Sequence, residues 1–179
     1  MRKLSTDELN RISVDQFKNT KKFPIVLILD NVRSLNNVGA AFRTADAFLI
    51  EKIFLCGITG RPPHREIHKT ALGATDSVAW EYQKEIIPLV IDLKNKGFKI
   101  IAIEQATNSL NLANYHPEQG ASQALVFGNE VFGVDQSVLD LSDVCLEIPQ
   151  FGTKHSLNIT VSIGISIWDI LNKLKPGLA

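Results

Sequence analysis

The chain has 179 residues, of which 45% are hydrophobic and 21% charged, a composition typical of one ordinary globular domain. No apolar run approaches the roughly 18 residues that a membrane-spanning helix needs, and residues 1–8 lack the apolar centre of a signal peptide. We therefore expect no membrane association and a cytoplasmic location. His64 and His68 are spaced i,i+4, but no cysteine or carboxylate cluster completes a metal site, so we expect no metal.

The formal net charge is zero, but the charges are unevenly distributed along the chain. Residues 1–69 contain 12 Lys and Arg against 7 Asp and Glu, whereas residues 70–179 contain 7 against 12. A uniformly basic, nucleic-acid-coating protein is excluded by the zero total. A polyanionic partner is expected to meet the N-terminal part of the chain.

Strands and helices are predicted to alternate along the chain. Short apolar runs predict buried strands at residues 25–29, 52–56, 99–103, 125–127 and 144–148. Helical patterns occupy residues 5–19, 37–48, 86–96 and 156–174, and the first of them opens with the capping-box spacing of Ser5 and Glu8. Residues 59–69 and 106–123 are predicted to be irregular. The last helix is apolar on nearly all sides, so we expect it to be buried.

This alternation predicts an α/β fold with a mostly parallel sheet and helices on both faces. We divide the chain into an N-terminal helical extension, residues 1–22, which is a possible RNA contact, and a single domain, residues 23–179. No repeat or long linker divides that domain further.

Three polar clusters interrupt the apolar pattern, at residues 36–43, 127–133 and 148–158. Each follows a predicted strand and precedes or begins a predicted helix. Ligands in open α/β sheets bind beyond the carboxyl ends of the strands, so three such clusters favour one composite site.

Each cluster also has a purely structural interpretation. Asn37 stands where a helix N-cap is expected, Gly39 allows close backbone approach, and Arg43 either reaches solvent or binds a phosphate or carboxylate. Glu130 either caps nearby backbone amides or faces a cation. Ser156 or Asn158 suffices to cap the last helix, at residues 156–174. A nucleotide P-loop at residues 128–133 is excluded, because Lys-Ser/Thr is missing after the second glycine.

Together the clusters resemble the signatures of the SpoU-type (TrmH-type) RNA ribose 2′-O-methyltransferases of the SPOUT superfamily. The signatures are Asn-x-Gly-x-x-x-Arg, Gly-x-Glu-x-x-Gly and Ile-Pro-x-x-Gly-x-x-x-Ser-Leu-Asn. They occur here in that order at residues 37–43, 128–133 and 148–158, and the resemblance extends over about residues 24–174.

The resemblance implies a C-terminal deep trefoil knot that binds S-adenosylmethionine and a homodimer whose active sites draw on both subunits. By the family pattern, Gly128, Ile148, Leu157 and, more weakly, Ile103 contact the methyl donor. The residues it assigns to catalysis are Arg43, Asn37, Glu130, Ser156 and Asn158.

The family pattern places an arginine, here Arg43, at the centre of catalysis, and its role has two interpretations. Family proposals make it the general base that removes the 2′-hydroxyl proton. Arginine keeps its proton in proteins, so our hypothesis is that Arg43 holds the adjacent phosphate and stabilises the developing alkoxide.

The expected partner is structured RNA, with tRNA favoured and ribosomal RNA as the alternative. The basic candidates for RNA contact are Arg33, Arg61, Arg65, Lys69 and Lys154, and for each basic region a solvated surface is the alternative interpretation. Two rival functions are a non-catalytic RNA-binding protein on the same fold and a dinucleotide-dependent oxidoreductase. A non-catalytic protein would not need the catalytic residues, yet all of them are present in this chain. An oxidoreductase of this kind would need Gly-x-Gly-x-x-Gly after the first strand, and this chain lacks that motif.

Overall fold

The computed structural model describes residues 1–5 and 7–175, and the statements below refer to these residues. The seven strands are β1 (Phe23–Asp30), β2 (Ile50–Cys56), β3 (Ala79–Gln83), β4 (Lys99–Ile103), β5 (Leu110–Asn111), β6 (Gln123–Phe127) and β7 (Val144–Glu147). The seven α-helices are α1 (Val14–Asn19), α2 (Leu35–Ala47), α3 (Arg65–Ala71), α4 (Ala74–Ser77), α5 (Ile86–Asn95), α6 (Gln136–Leu141) and α7 (Ile159–Leu174). Two 3₁₀ turns lie at Asp7–Leu9 and Leu112–Asn114.

The strands form one sheet in the order β3-β2-β1-β6-β4-β7-β5, and every strand pair in it is parallel. The predicted α/β class with a mostly parallel sheet is therefore confirmed. All strands point their carboxyl ends to the same edge, so the polar clusters that follow β1, β6 and β7 share that edge.

Helices cover both faces of the sheet, and alternate residues of β1 show this directly. Leu27 and Leu29 belong to a core that includes Phe42 of α2 and Ile163 of α7, whereas Ile28 belongs to a second core with residues of α5 and α6. Because a parallel strand in this position is buried on both sides, it reads as a continuous apolar run, which is how the sequence predicts it.

The connection from β4 to β5 has an unusual path. β7 lies between these two strands in the sheet, so residues 104–109 cross the carboxyl end of β7. Two hydrogen bonds fasten this crossing segment to β7, one from the N–H of Glu104 to the carbonyl of Leu146 (3.1 Å) and one from Ser109 Oγ to Glu147 Oε2 (2.6 Å). Residues 104–109 thus form an arch across the carboxyl end of β7.

The N-terminal helix predicted over residues 5–19 is wrong in extent. Only a 3₁₀ turn and the six residues of α1 form, and the capping box lies at Ser13 and Gln16. Glu8 does accept a hydrogen bond from the N–H of Ser5 (2.7 Å), which is half of the predicted box. Thr6 and residues 176–179 lie outside the described residues, and so do the parts of the predictions that fall on them.

The irregular segment predicted over residues 59–69 is half helical. Helix α3 begins at Arg65, with His64 as its N-cap, so Lys69 lies on a helix and not in a loop. α3 packs closely on α2: a Cβ atom added to Gly39 would overlap the carbonyl of Ile67. The close backbone approach predicted for Gly39 is therefore confirmed. Strand β3 and helices α4 and α6 were not predicted at all.

The composition of helix α7 predicted burial on all sides, and this prediction is wrong. Ile163 and Ile167 are buried, but Val161, Ile165 and Trp168 are exposed on another side of the same helix, Trp168 by 53%. The spacing of these three residues places them in one apolar stripe. Trp168 also contacts Phe48, the C-cap of α2, with 6.2 Å between the ring centroids.

Within residues 1–5 and 7–175, no helix is long and apolar enough to cross a membrane. The same residues contain no group of three or more His, Cys, Asp or Glu side chains that could hold a metal ion.

Candidate active site

Two of the three polar clusters line one cavity at the carboxyl edge of the sheet, and the third is hydrogen-bonded to them. The cavity has a volume of about 640 Å³. Its walls are the end of β4 with residues 103–105, the turn after β6 with residues 127–134, and the segment from β7 to the start of α7. The composite site that the sequence predicted is therefore present.

Glu130 connects the first cluster to the second. Its carboxylate accepts hydrogen bonds from the N–H of Arg33 (2.9 Å), the N–H of Ser34 (3.0 Å) and the side-chain amide of Asn37 (3.0 Å). Burial alone would raise the pKa of Glu130, but these hydrogen bonds outweigh it and hold the pKa below its ordinary value. Glu130 is thus an ionised acceptor that caps backbone amides and fixes Asn37 at the same time.

Asn37 and Asn158 connect the first cluster to the third. The side-chain amide of Asn158 donates to the side-chain oxygen of Asn37 at 3.3 Å. The side-chain oxygen of Asn158 accepts from the N–H of Thr160 (2.8 Å) and so caps α7. The capping interpretation of Asn158 and its place in the site are both correct.

The sequence predicted Asn37 as the N-cap of α2, and this prediction is wrong. Ser34 takes that position and accepts from the N–H of Asn37 at 3.3 Å, and the helix begins at Leu35. The side chain of Asn37 therefore does not serve as a cap and is available to Glu130 and Asn158.

The turn after β6 depends on its two glycines. Asn129 and Gly133 exchange two backbone hydrogen bonds, at 3.0 and 2.9 Å, which close a tight turn around Glu130. Gly133 has a φ of +70°, and a Cβ atom on Gly128 would overlap the backbone of Gly133. The turn can therefore form only with glycine at position 128.

Sequence reasoning missed a pair of residues at the end of β4. Glu104 accepts from the N–H groups of Val134 (2.9 Å) and Gln105 (2.7 Å), which fixes the second cluster to β4. The side-chain amide of Gln105 donates to the carbonyl of His155 (2.7 Å), which fixes the third. The available signal was an acid and an amide directly after an apolar strand.

All four residues predicted to contact the methyl donor lie in the wall of the cavity: Ile103, Gly128, Ile148 and Leu157. Ser156, Glu130 and Asn158 lie there as well. Ser156 is exposed and, within the described part of the chain, its side chain makes no hydrogen bond.

Arg43 is set apart from this network. It is exposed, it does not line the cavity, and it makes no hydrogen bond or ion pair with any described residue. It follows Asn37 by six residues, which turns it about 120° around α2. The structure of one chain therefore does not bring Arg43 together with the other predicted catalytic residues.

The basic residues predicted to bind RNA are all exposed and belong to several segments of the chain. Arg61 lies over the ring of Tyr82 (4.3 Å to the centroid), and Arg65 and Lys69 lie on α3. Lys154 lies in the segment before α7, and the backbone of Arg33 is bonded to Glu130.

Known proteins share the sequence pattern and the fold of this chain. A sequence profile of the SpoU rRNA Methylase family matches residues 24–168. The chain belongs to this family. The resemblance found from the three signatures is therefore confirmed. A 23S rRNA (guanosine-2′-O-)-methyltransferase of Neisseria meningitidis is 30% identical over 151 residues, which are 84% of this SpoU-family chain and 59% of the relative's length.

Solved structures share the fold. The Aquifex aeolicus TrmH/SpoU tRNA modifying enzyme superposes with a TM-score of 0.79 at 24% identity, over 89% of this chain and 81% of the other. An AdoMet-bound rRNA methyltransferase from Sinorhizobium meliloti gives a TM-score of 0.77 at 23% identity, over 86% of this chain and 58% of that protein. At these identities the likeness concerns the fold.

Proposed function

We propose that this protein transfers the methyl group of S-adenosylmethionine to a ribose 2′-hydroxyl in a structured RNA. The observation that carries the proposal is the network in which Glu130 and Asn158 hold Asn37 at the rim of the cavity. It joins the three family signatures at one point, and the Neisseria relative is named as a ribose 2′-O-methyltransferase.

The cavity fits the methyl donor. A volume of about 640 Å³ lies within the usual range for small-molecule sites. Ile103, Ile148 and Leu157 provide apolar walls for an adenine ring, and Gly128 keeps one wall free of a side chain. When bound, S-adenosylmethionine supplies an electrophilic methyl group on a sulfonium centre. The Sinorhizobium structure is described as AdoMet bound, which supports this choice of donor.

The network of this chain serves to position groups. Ionised Glu130 is a weak base because its hydrogen bonds lower its pKa, so we assign it to holding Asn37 and the first cluster in place. Asn37 and Asn158 face each other at the rim and can hold the ribose hydroxyl in line with the cavity. Rate enhancement then comes largely from the geometry of approach.

We assign Arg43 to the phosphate next to the reactive ribose and to the developing alkoxide. A guanidinium donates five hydrogen bonds and does not lose its proton in proteins, which opposes the role of general base. Methyl transfer by Arg43→Lys, measured across pH, separates the two roles. We expect activity to stay low at every pH, whereas full rescue at high pH, in step with lysine deprotonation, supports the base.

We propose a homodimer whose active sites draw on both subunits. Arg43 lies away from the cavity of its own chain, and the apolar stripe of α7 is exposed and joined to α2 through Phe48 and Trp168. Both features are explained if a partner covers α7 and presents its own cavity to Arg43.

Subunit complementation tests this arrangement. One variant, Arg43→Ala, lacks the guanidinium but keeps its cavity. The other variant, Leu157→Glu, keeps Arg43 but has a blocked cavity. Mixed dimers carry one intact site only if Arg43 acts across the interface, so equal mixing restores about a quarter of the wild-type activity. Activity no higher than that of either variant alone contradicts the shared site.

We also infer the C-terminal trefoil knot that the family pattern implies. Its support is the arch of residues 104–109 over the end of β7, from which the chain continues towards α7 on one face of the sheet. Gln105 of the arch holds the carbonyl of His155 as that chain emerges.

For the RNA we favour a tRNA stem-loop, with ribosomal RNA as the alternative. The Aquifex structure is described as a tRNA modifying enzyme and the Neisseria relative as an enzyme of 23S rRNA. Arg33, Arg61, Arg65, Lys69 and Lys154 are our candidates for RNA contact, because each is exposed and charged. A cytoplasmic location and the extension at residues 1–22 stay predictions.

Mass spectrometry of tRNA and rRNA nucleosides, from cells with and without this protein, tests the proposal. We expect one ribose methyl to disappear from tRNA. Loss of a base methyl with every ribose methyl retained overturns the proposed chemistry. An unchanged pattern in both RNA classes, with RNA binding intact, favours the non-catalytic alternative.

A further inference from the structure

A second cleft lies beside the cavity described above, with a volume of about 730 Å³. The turn at residues 129–134 lines both, so it forms a common wall. The rest of the cleft comes from the end of β1 with residues 30–33, from Ile58 after β2, and from Asp135 and Gln136 at the start of α6. No signature of the sequence and no residue of the proposed mechanism explains it.

The cleft presents two large apolar groups to solvent. Phe132 is 85% exposed and Ile58 is 69% exposed, although both lie in the cleft wall. An exposed aromatic ring is costly to leave in water and is the kind of surface on which a nucleobase stacks.

A buried carboxylate lies in the same wall. Asp30 is only 3% exposed, and its Oδ1 accepts from the side-chain amide of Asn31 at 3.0 Å. Its Oδ2 accepts no hydrogen bond from any residue that the structure describes, although Asp30 lines the cleft. Burial raises the pKa of Asp30, and the charge of Asp135 raises it further. Oδ2 is not sealed from solvent, so it can accept a hydrogen bond from a ligand in the cleft.

Two other polar groups of the cleft are partly engaged, whereas the guanidinium of Arg33 makes no hydrogen bond with a described residue. Asp135 accepts from the N–H of Ser137 (2.9 Å), and the amide of Gln136 donates to Asp140 (2.8 Å). Asp30 Oδ2 and Asp135 Oδ2 each accept no hydrogen bond from a described residue, and Asp30 is the carboxylate that is set into the wall. Two carboxylates, Asp30 and Asp135, against one guanidinium, Arg33, make the cleft net negative, which disfavours a free phosphate.

We propose that this cleft binds a guanine base of the substrate RNA, which stacks on Phe132 and donates to Asp30. A carboxylate only accepts, and guanine alone among the common bases carries two adjacent donors, N1–H and the 2-amino group, on its Watson–Crick edge. Arg33 lies in the cleft wall, and its N–H is bonded to Glu130, so a nucleotide can extend from the network into the cleft. The inference rests on the proposed function for its source of guanine.

Backbone amide NMR with mononucleotides tests the cleft directly. The protein is first saturated with S-adenosylhomocysteine, so that its cofactor cavity is filled, and is then titrated with GMP or IMP. We expect GMP to shift the amides of Ile58, Phe132 and Gly133 with a Kd of about 1 mM. IMP lacks the 2-amino group and should bind about fivefold more weakly. Asp30→Asn should abolish this preference, while Asp92→Asn, an exposed acid paired with Lys96, should retain it.

The outcomes decide between alternatives. The inference is overturned if GMP shifts only amides outside the cleft, or if Asp30→Asn keeps the preference over IMP. If Asp30→Asn does not fold, Ile58→Ser replaces it, because Ile58 is exposed: we expect about threefold weaker GMP binding, and unchanged binding contradicts the cleft. Methyl transfer from S-adenosylmethionine to RNA, measured on separate samples without S-adenosylhomocysteine, shows whether the proposed function fails.

The guanine has two possible sources, the methylated nucleotide or a neighbour, and kinetics with inosine-substituted RNA distinguish them. Inosine at the methylated position should lower kcat/KM in wild type but not in Asp30→Asn if the target base occupies the cleft. The same result with inosine at an adjacent position assigns a neighbour. No effect at either position overturns the inference.

Discussion

Two sides of helix α2 differ in whether their polar side chains find hydrogen-bond partners within one chain. On one side, Asn37 is held by Glu130 and Asn158, at 3.0 and 3.3 Å, and every loop of the cavity is bonded to another. On the other side, Arg43 is exposed and bonds to no described residue, and the nearby stripe of α7 presents Trp168 to water. The difference is the one that the proposed dimer requires, in which one chain preorganises the cofactor side of the site and a second chain completes the RNA side.

The largest effect is expected from the incomplete side. Arg43→Ala should lower the rate of methyl transfer about a thousandfold, because charge stabilisation at the reacting oxygen is lost. The melting temperature and the Kd for S-adenosylhomocysteine should not change, since Arg43 makes no hydrogen bond or ion pair with a described residue of its own chain. Single-turnover methyl transfer and calorimetry check this. A large fall in stability would show that Arg43 is bonded within its own subunit.

The next effect concerns the stripe of α7. Trp168→Asp should convert the dimer to a monomer and lower activity about a hundredfold, because a charge at the centre of an apolar interface is strongly unfavourable. Sedimentation equilibrium measures the mass. Ile91→Asp is the matched control, since Ile91 is an exposed apolar residue on α5, at the other face of the sheet. Equal loss of the dimer in both variants refutes a specific interface.

A smaller effect is expected on the complete side. Glu130→Gln should lower the melting temperature at pH 7 by about 3 °C. The folded pKa of Glu130 lies below its ordinary value of 4.5, so its stabilisation is present above that pH and is lost as the pH falls through the folded pKa. The difference from wild type should therefore shrink in acid.

Thermal unfolding between about pH 7 and about pH 3 measures this dependence, because carboxyl groups titrate within that range. Glu118→Gln is the control, because Glu118 is exposed and its side chain makes no hydrogen bond with a described residue. A difference that stays constant at all pH values would show that Glu130 acts through packing and not through its charge.

The smallest effect concerns the link between β4 and the last loop. Gln105→Ala removes the hydrogen bond to the carbonyl of His155 and should raise the Kd for S-adenosylhomocysteine about fivefold. Isothermal titration measures this. Gln119→Ala removes a similar bond, to the carbonyl of Leu174 at 2.9 Å, far from the cavity, and should leave the Kd unchanged.

The meeting of the three clusters could be predicted from the sequence because they lie at strand ends, and parallel strands bring their ends together. The individual residues of the cavity were implied by the family resemblance. The bonding within the site could not be predicted. Asn37 was predicted as an N-cap from its local position, but its partner Glu130 is 93 residues away, and Ser34 takes the cap instead. Glu104 and Gln105 were missed because their targets are backbone groups, which leave no trace in residue type.

The surface of the molecule was harder to predict than its core. The composition of α7 predicted burial on all sides, and Trp168 lies exposed. Periodicity measures only how apolar a face is, so a face buried in the fold and a face available to a partner look the same. Helix α3 was missed since glycine and prolines precede it at residues 60–63 and only seven residues follow in the helix.

The turn at residues 129–134 has a thermodynamic consequence, because it is a wall of two cavities at once. Asn129 donates to the carbonyl of Asn31 at 2.7 Å, and Asn31 accepts from the N–H of Ile58 at 3.1 Å, so the turn moves together with the floor of the second cleft. Ligands that contact a shared wall are energetically linked, and the linkage is reciprocal. The factor by which the methyl donor changes affinity for a base in the cleft must equal the factor by which that base changes affinity for the donor. The size of this factor would then be a property of the four residues that line both cavities, Asn129, Phe132, Gly133 and Val134.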